Sequence, residues 1–137
     1  MPQTDRRFDT SAVVAVFVGG AMGAAARAGL EVWFPVRVGA WPWATFTANV
    51  VGAAALAVVL LLVPERGTGR RYRLMLGTGA CGGLTTFSTL QVEVFHLIRF
   101  GETGFAVAYL AASIVAALAA AHVVTRIVAM VRVEEAQ

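Results

Sequence analysis

Charged residues divide this chain into four uncharged stretches, at positions 10–26, 38–64, 74–92 and 103–125. Each is dominated by Ala, Val, Leu, Phe and Gly. About 20 apolar residues, with a range of roughly 17–25, cross the hydrocarbon core of a bilayer as a helix. The pattern therefore predicts an all-α integral membrane protein with four transmembrane helices, over about residues 10–30, 43–63, 74–98 and 103–128, in one four-span domain covering 1–137. Pro35 and Pro42 stop a continuous helix in the first connection. The second connection, Pro64-Glu65-Arg66-Gly67-Thr68-Gly69-Arg70-Arg71, is polar, and the third, Arg99-Phe100-Gly101-Glu102, is very short. Trp33, Trp41 and Trp43 cluster around the first connection and predict a membrane–water interface there.

Composition strengthens this picture. Hydrophobic residues make up 58% of the 137 and charged residues 14%, against about 25% charged in soluble domains. All basic residues are arginines, and they sit mostly at span ends, so the positive balance reads as membrane anchoring and not as nucleic-acid binding. With four spans, one face collects Arg6, Arg7, Arg66, Arg70, Arg71, Arg73, Arg126 and Arg132, while the other has Arg37 and Arg99 with Arg27 near it. Basic loops stay in the cytoplasm, which predicts cytoplasmic termini, one fixed orientation and residence in the cell membrane. Arg6 and Arg7 resemble the start of a leader. The apolar stretch nevertheless runs on to Arg27 with no small-x-small cleavage site, so it is read as a span. Cys81 is the lone cysteine and is expected to be a small packing residue.

Candidate chemistry lies within the spans. Gly19, Gly23 and Arg27 share one helix face, and small residues at that spacing let helices approach closely. Arg27 then either snorkels to the interface or turns inward to offer positive charge to an anion entrance. In the second span, Thr45, Asn49 and Gly52 share a face. Asn49 is interhelical glue or, with Thr45, a hydrogen-bond donor to a dehydrated anion, and both readings turn it inward. The third span reads Gly77-Thr78-Gly79-Ala80-Cys81-Gly82-Gly83-Leu84-Thr85-Thr86-Phe87-Ser88-Thr89-Leu90. Glycines followed by hydroxyl and β-branched residues make a poor continuous helix. Here they predict either a glycine packing face or a break, tolerable in a membrane only where bared peptide groups are buried or line a cavity. Phe87 and Leu90 are either bundle core or, for Phe87, a ring edge facing an anion. Glu93 lines an aqueous vestibule or pairs with an arginine, with His96 a turn beyond. Tyr109 and Ser113, four apart in the fourth span, offer O–H donors to a narrow path or to neighbouring helices.

These residues together resemble the small fluoride channels of the Fluc, or CrcB, family from about Gly19 to Ser113. The strongest part is Gly82-Gly83-Leu84-Thr85-Thr86-Phe87-Ser88-Thr89, which is similar to the family's third-span signature almost letter for letter. Gly19-Gly20 through Arg27 resembles the first-span pattern, and Thr45 with Asn49 the second-span pair. The resemblance implies an antiparallel dimer of four-span subunits, formed with itself or with an oppositely oriented homologue, that exports fluoride passively. It also implies a structural Na⁺ at the dimer centre, held by the backbone carbonyls of Gly82 and Thr85. Asn49 would contact fluoride, Thr45, Tyr109 and Ser113 would line its path, Phe87 would supply a ring edge, and Arg27 and Glu93 would sit near the vestibules. Leu90 departs from the family, which has a second phenylalanine at that position. With the one-sided arginine distribution, this leads to the expectation of an oppositely oriented partner.

Two other classes compete. A four-span multidrug–proton antiporter also forms antiparallel dimers, but it needs a proton-exchanging acid deep in a span, usually the first, where this chain has Arg27. A non-transporting assembly subunit would explain the glycine stripes but not Asn49 or the run from Thr85 to Thr89. The sequence has no metal-ligand cluster, nucleophile–base pair or phosphate loop, so no enzyme is expected.

Overall fold

The computed structural model describes residues 9–37 and 39–135, with only the backbone described for 133–135; Arg6 and Arg7 lie outside these residues. Every described element is helical. They are α1 (Thr10–Trp33), α2 (Trp43–Leu62), α3 (Thr68–Arg73), a π-helical stretch (Leu74–Cys81), α4 (Gly82–Leu84), α5 (Phe87–Arg99) and α6 (Thr103–Glu135). Three helices are long and apolar enough to cross a membrane: Thr10–Trp33, Trp43–Leu62 and, within α6, Thr103–Arg132. The first runs three residues past its expected end and α6 seven past, while α2 matches to within one residue.

Between them runs an interrupted segment, from α3 through α5, broken at Thr85 and Thr86. Both residues are extended, with φ −75° and ψ 148° at Thr85 and φ −148° and ψ 121° at Thr86. A break within this run is one of two readings of the sequence, and the structure has it at the two threonines just before Phe87. The glycine-rich run does not unwind. It stays helical, with the wider π winding over Leu74–Cys81, and the chain opens only at the two threonines.

The glycines are engaged in packing. α1 lies mainly against the π-helical stretch and α4. A Cβ on Gly19 would be driven into the Met75 carbonyl, one on Gly23 into the Ala80 carbonyl, and one on Gly83 into the Gly20 carbonyl. Small-residue stripes on both partners thus bring two backbones into contact, as the Gly19–Gly23 spacing predicts.

α2 and α5 pack instead on α6. Leu90, Leu97, Ala106 and Tyr109 form a buried cluster there, with Trp41, Phe46 and Phe105 against it. Trp41 lies 6.0 Å from Trp43, ring centre to ring centre, and also packs inward on the α6 cluster. Its ring meets Tyr109 edge to face at 5.2 Å and Phe105 at 5.5 Å, whereas Trp33 is 82% exposed and Trp43 53%. The turn from α5 to α6 closes as a Schellman motif. Gly101 takes a positive φ of 84° and donates to the Ile98 carbonyl, and Glu102 donates to that of Leu97.

Arginines tie the opposite end together. Arg73 donates to the Leu60 and Val63 carbonyls and pairs with Glu65 at 2.8 Å, and Arg132 donates to the Leu61 carbonyl. These bonds occupy carbonyls that the C-terminus of α2 leaves without helical partners. Arg70 pairs with Asp9 at 2.7 Å. The Ser11 hydroxyl and the Arg70 guanidinium together hold the Asp9 carboxyl down at about 2.

Candidate functional site

The break is hydrogen-bonded by side chains from both neighbouring helices. In a continuous helix the Thr86 N–H would close on the Gly82 carbonyl. It donates instead to Asn49 Oδ1 at 2.8 Å, while Asn49 Nδ2 donates to the Thr86 carbonyl at 3.2 Å. A single amide on α2 thus satisfies both polar groups of residue 86. Asn49 is turned inward, as both readings required, and one of its two N–H bonds is spent on the backbone. Thr86 also caps α5: its Oγ1 accepts from the Thr89 N–H at 3.2 Å. That N–H would otherwise close on the Thr85 carbonyl. Thr85 donates its own hydroxyl back to the Cys81 carbonyl at 2.9 Å.

Among the carbonyls that lose their helical donors at the break are those of Gly82 and Thr85. Both residues line a groove of about 760 Å³ between α2 and the interrupted segment, walled by Gly52, Leu56, Gly77 and Cys81, with Arg70 and Arg73 at one end. A Cβ on Gly82 would meet no other atom within 4 Å, so this face of the break is open. Cys81 is buried among these groups, as a packing residue would be. Among the described residues, no cluster of His, Cys, Asp and Glu could hold a metal.

A second groove, of about 270 Å³, lies on the other side and is lined by Asn49, Thr86, Phe87, Leu90, Ser113 and Ala117, among others. Phe87 is 67% exposed and Leu90 4%. Phe87 is thus not bundle core, because the helix begins at it and its ring projects beyond the packed face. Leu90, one turn further, is core.

From this groove a line of polar groups enters the protein. The Ser113 hydroxyl donates to the Tyr109 carbonyl at 2.7 Å. Tyr109 Oη donates to Glu93 Oε2, and Thr45 Oγ1 donates to Glu93 Oε1, each at 2.7 Å. All four residues are buried. Of the two sequence readings of Glu93, the arginine pair is not found among the described residues; two neutral hydroxyls hold the carboxylate instead. On its far side, Glu93 borders a cavity of about 110 Å³ with Arg37, His96 and Phe100. Ser113 thus lines one cavity and Glu93 the other, with Tyr109 and Thr45 both bonded to Glu93.

Arg27 stands apart from this line. Its Nη1 pairs with Glu31 at 3.2 Å and its Nε donates to the Gly83 carbonyl at 3.4 Å. It does not line the groove of Asn49 and Phe87. Sequence reasoning missed three participants: Thr86, Trp41 and the Gly83 carbonyl. Only Thr86 carried a readable signal, as a threonine opening a helix with a hydroxyl three positions on.

Apolar helices surrounding buried polar groups, and a helix opened inside an uncharged stretch, define a multi-pass membrane protein. Comparison with known proteins narrows the class. Residues 14–125 match the family described as CrcB-like protein, Camphor Resistance (CrcB), and the chain belongs to that family. It is 46% identical over 134 residues to a protein of Mycobacterium bovis named fluoride-specific ion channel FluC 1, covering 97% of this chain and 98% of the relative. A protein of the same name from Streptomyces coelicolor is 42% identical over 115 residues, covering 83% of this chain and 75% of the relative. From Chloroflexus aurantiacus, fluoride-specific ion channel FluC is 40% identical over 110 residues, covering 79% and 87%.

Proposed function

We propose that this chain is the subunit of a fluoride channel that crosses the cell membrane four times and lets fluoride leave the cytoplasm down its gradient. The observation that carries the path is the set of buried polar side chains, Ser113, Tyr109, Thr45 and Glu93, lying between the Asn49–Phe87 groove and the Arg37–His96 cavity. The choice of fluoride rests on family membership and on the names of the relatives. The interrupted segment makes the fourth crossing. Both termini lie in the cytoplasm, on the side that collects the arginines of the second connection and of α6.

The line suits a compact, strongly hydrated anion, which loses water on entry and needs replacement donors. Asn49 retains one N–H beyond its bond to the Thr86 carbonyl. The exposed Phe87 ring borders the same groove and offers its electropositive edge. Deeper in, the protons of Thr45 and Tyr109 point at Glu93, so an anion moves inward as each hydroxyl turns from the carboxylate to the ion. Arg37, at the other end, supplies positive charge.

A structural Na⁺ fits the open face of the break. Hard oxygen donors suit it, and Gly82 and Thr85 present carbonyls relieved of their helical N–H partners on a face with room at Gly82. Two carbonyls are too few for a full coordination shell. That supports an antiparallel dimer in which a second subunit brings its own pair. Bound there, the ion would balance the negative ends of these carbonyl dipoles.

Leu90 leaves the groove beside Asn49 with a single aromatic ring. Together with the one-sided arginines, it favours an oppositely oriented homologue as partner over a second copy. Fluoride and chloride efflux from liposomes holding this chain together with an oppositely oriented family homologue tests the channel, and efflux from liposomes holding this chain alone tests the need for that partner. Selective fluoride release that Asn49→Asp lowers at least about tenfold is the expected sign of the channel, because the carboxylate removes the donor and adds repulsion. Efflux indifferent to both halide and substitution would overturn the assignment. Full release by the chain alone would remove the need for a different partner.

A further inference from the structure

Arg27 has no part in the polar line, yet it is a charged side chain whose donor meets the break. The glycine contacts explain how it gets there. Gly20 and Gly23 bring the backbone of α1 against residues 80–84 so closely that Cβ atoms on Gly23 or Gly83 would collide with opposing carbonyls. One turn beyond Gly23, Arg27 overhangs the last residues before the opening. The Gly83 carbonyl there would receive the Phe87 N–H in a continuous helix, but Phe87 belongs to the next one. Arg27 Nε donates to this orphaned oxygen, and Glu31 fixes the other arm of the guanidinium from one turn along α1. The side chain is only 31% exposed, which suits a bracket better than a solvated surface charge.

We infer that Arg27 is a positioning residue: from α1 it grips the Gly83 peptide while Asn49 grips the Thr86 peptide from α2, and together they hold the third span open at Thr85–Thr86. The grip fixes the peptides on either side of the Gly82 and Thr85 carbonyls and so sets their direction. This role differs from supplying charge to an anion entrance. A charge acts at a distance and is screened by salt, whereas a bracket acts on one carbonyl and is felt in the local backbone.

Amide hydrogen exchange on the full chain in lipid nanodiscs separates the two. In Arg27→Gln, the segment 82–90 should exchange about tenfold faster than in the wild type, as losing a charge-assisted bond to a peptide group implies. α6 should be unchanged, and Arg37→Gln should leave segment 82–90 unaffected. Unchanged exchange over 82–90 in Arg27→Gln would overturn the inference. If that variant unfolds, exchange rises in α6 as well and Arg27→Lys decides: acceleration confined to 82–90 upholds the bracket, and wild-type exchange there overturns it. A second arm rests on the sodium reading. Na⁺ should slow exchange over 82–90 in the wild type, and Arg27→Gln should need about tenfold more Na⁺ for the same protection. Absence of any Na⁺ effect in the wild type, with the variant still faster, would sink the sodium site and leave Arg27 in place.

Discussion

The two halves of the interrupted segment are held by opposite means. Before the break, the π-helical stretch and α4 meet α1 backbone to backbone, through positions where any side chain would collide with a carbonyl. After it, α5 is held by what its side chains reach: Leu90 and Leu97 in a buried cluster, and Glu93 between two hydroxyls. Lipid chains are as apolar as leucine, so hiding apolar surface contributes little inside a bilayer. Contact itself must hold the helices. The first half gains it by removing side chains, the second by fitting them. The first half therefore tolerates no addition and the second no subtraction.

Substitutions can break or sharpen that contrast. The largest effect is expected in the first half. Gly23→Leu forces a branched side chain into the Ala80 carbonyl and should cost about 3 kcal/mol, read as a lower midpoint in SDS unfolding from mixed micelles. A near-neutral result would mean that α1 can retreat and that the glycine contact is not obligatory. In the second half, Leu97→Ala opens a cavity and should cost about 2 kcal/mol in the same titration. Thr86→Ala, at the junction, removes the cap of α5 and the bond to the Thr89 hydroxyl, and should cost about 1 kcal/mol. A loss there as large as that of Gly23→Leu would show that the junction holds the two halves together.

The three long apolar helices and the glycine stripe of α1 were legible in the sequence because bilayer thickness and helical spacing act on every residue alike. So was the inward turn of Asn49, since an amide in lipid must find partners. The exact site of the break was not. Glycine lowers helix propensity anywhere, but here its close packing against α1 outweighs that weakness, and the chain opens where Asn49 and the Thr86 hydroxyl supply substitute hydrogen bonds. Spacing placed Phe87 and Leu90 on one face, but a residue that begins a helix lacks the preceding turn that would bury it. The partners of Glu93 depend on how α2 and α6 flank α5, which no local pattern records.

The reciprocal bonding of Asn49 with residue 86 has a mechanical consequence. An interruption with dangling peptide groups is a pivot, and a small torque bends it. This one is spliced to the helix beside it, so bending the interrupted segment there means rupturing the splice or dragging α2 along.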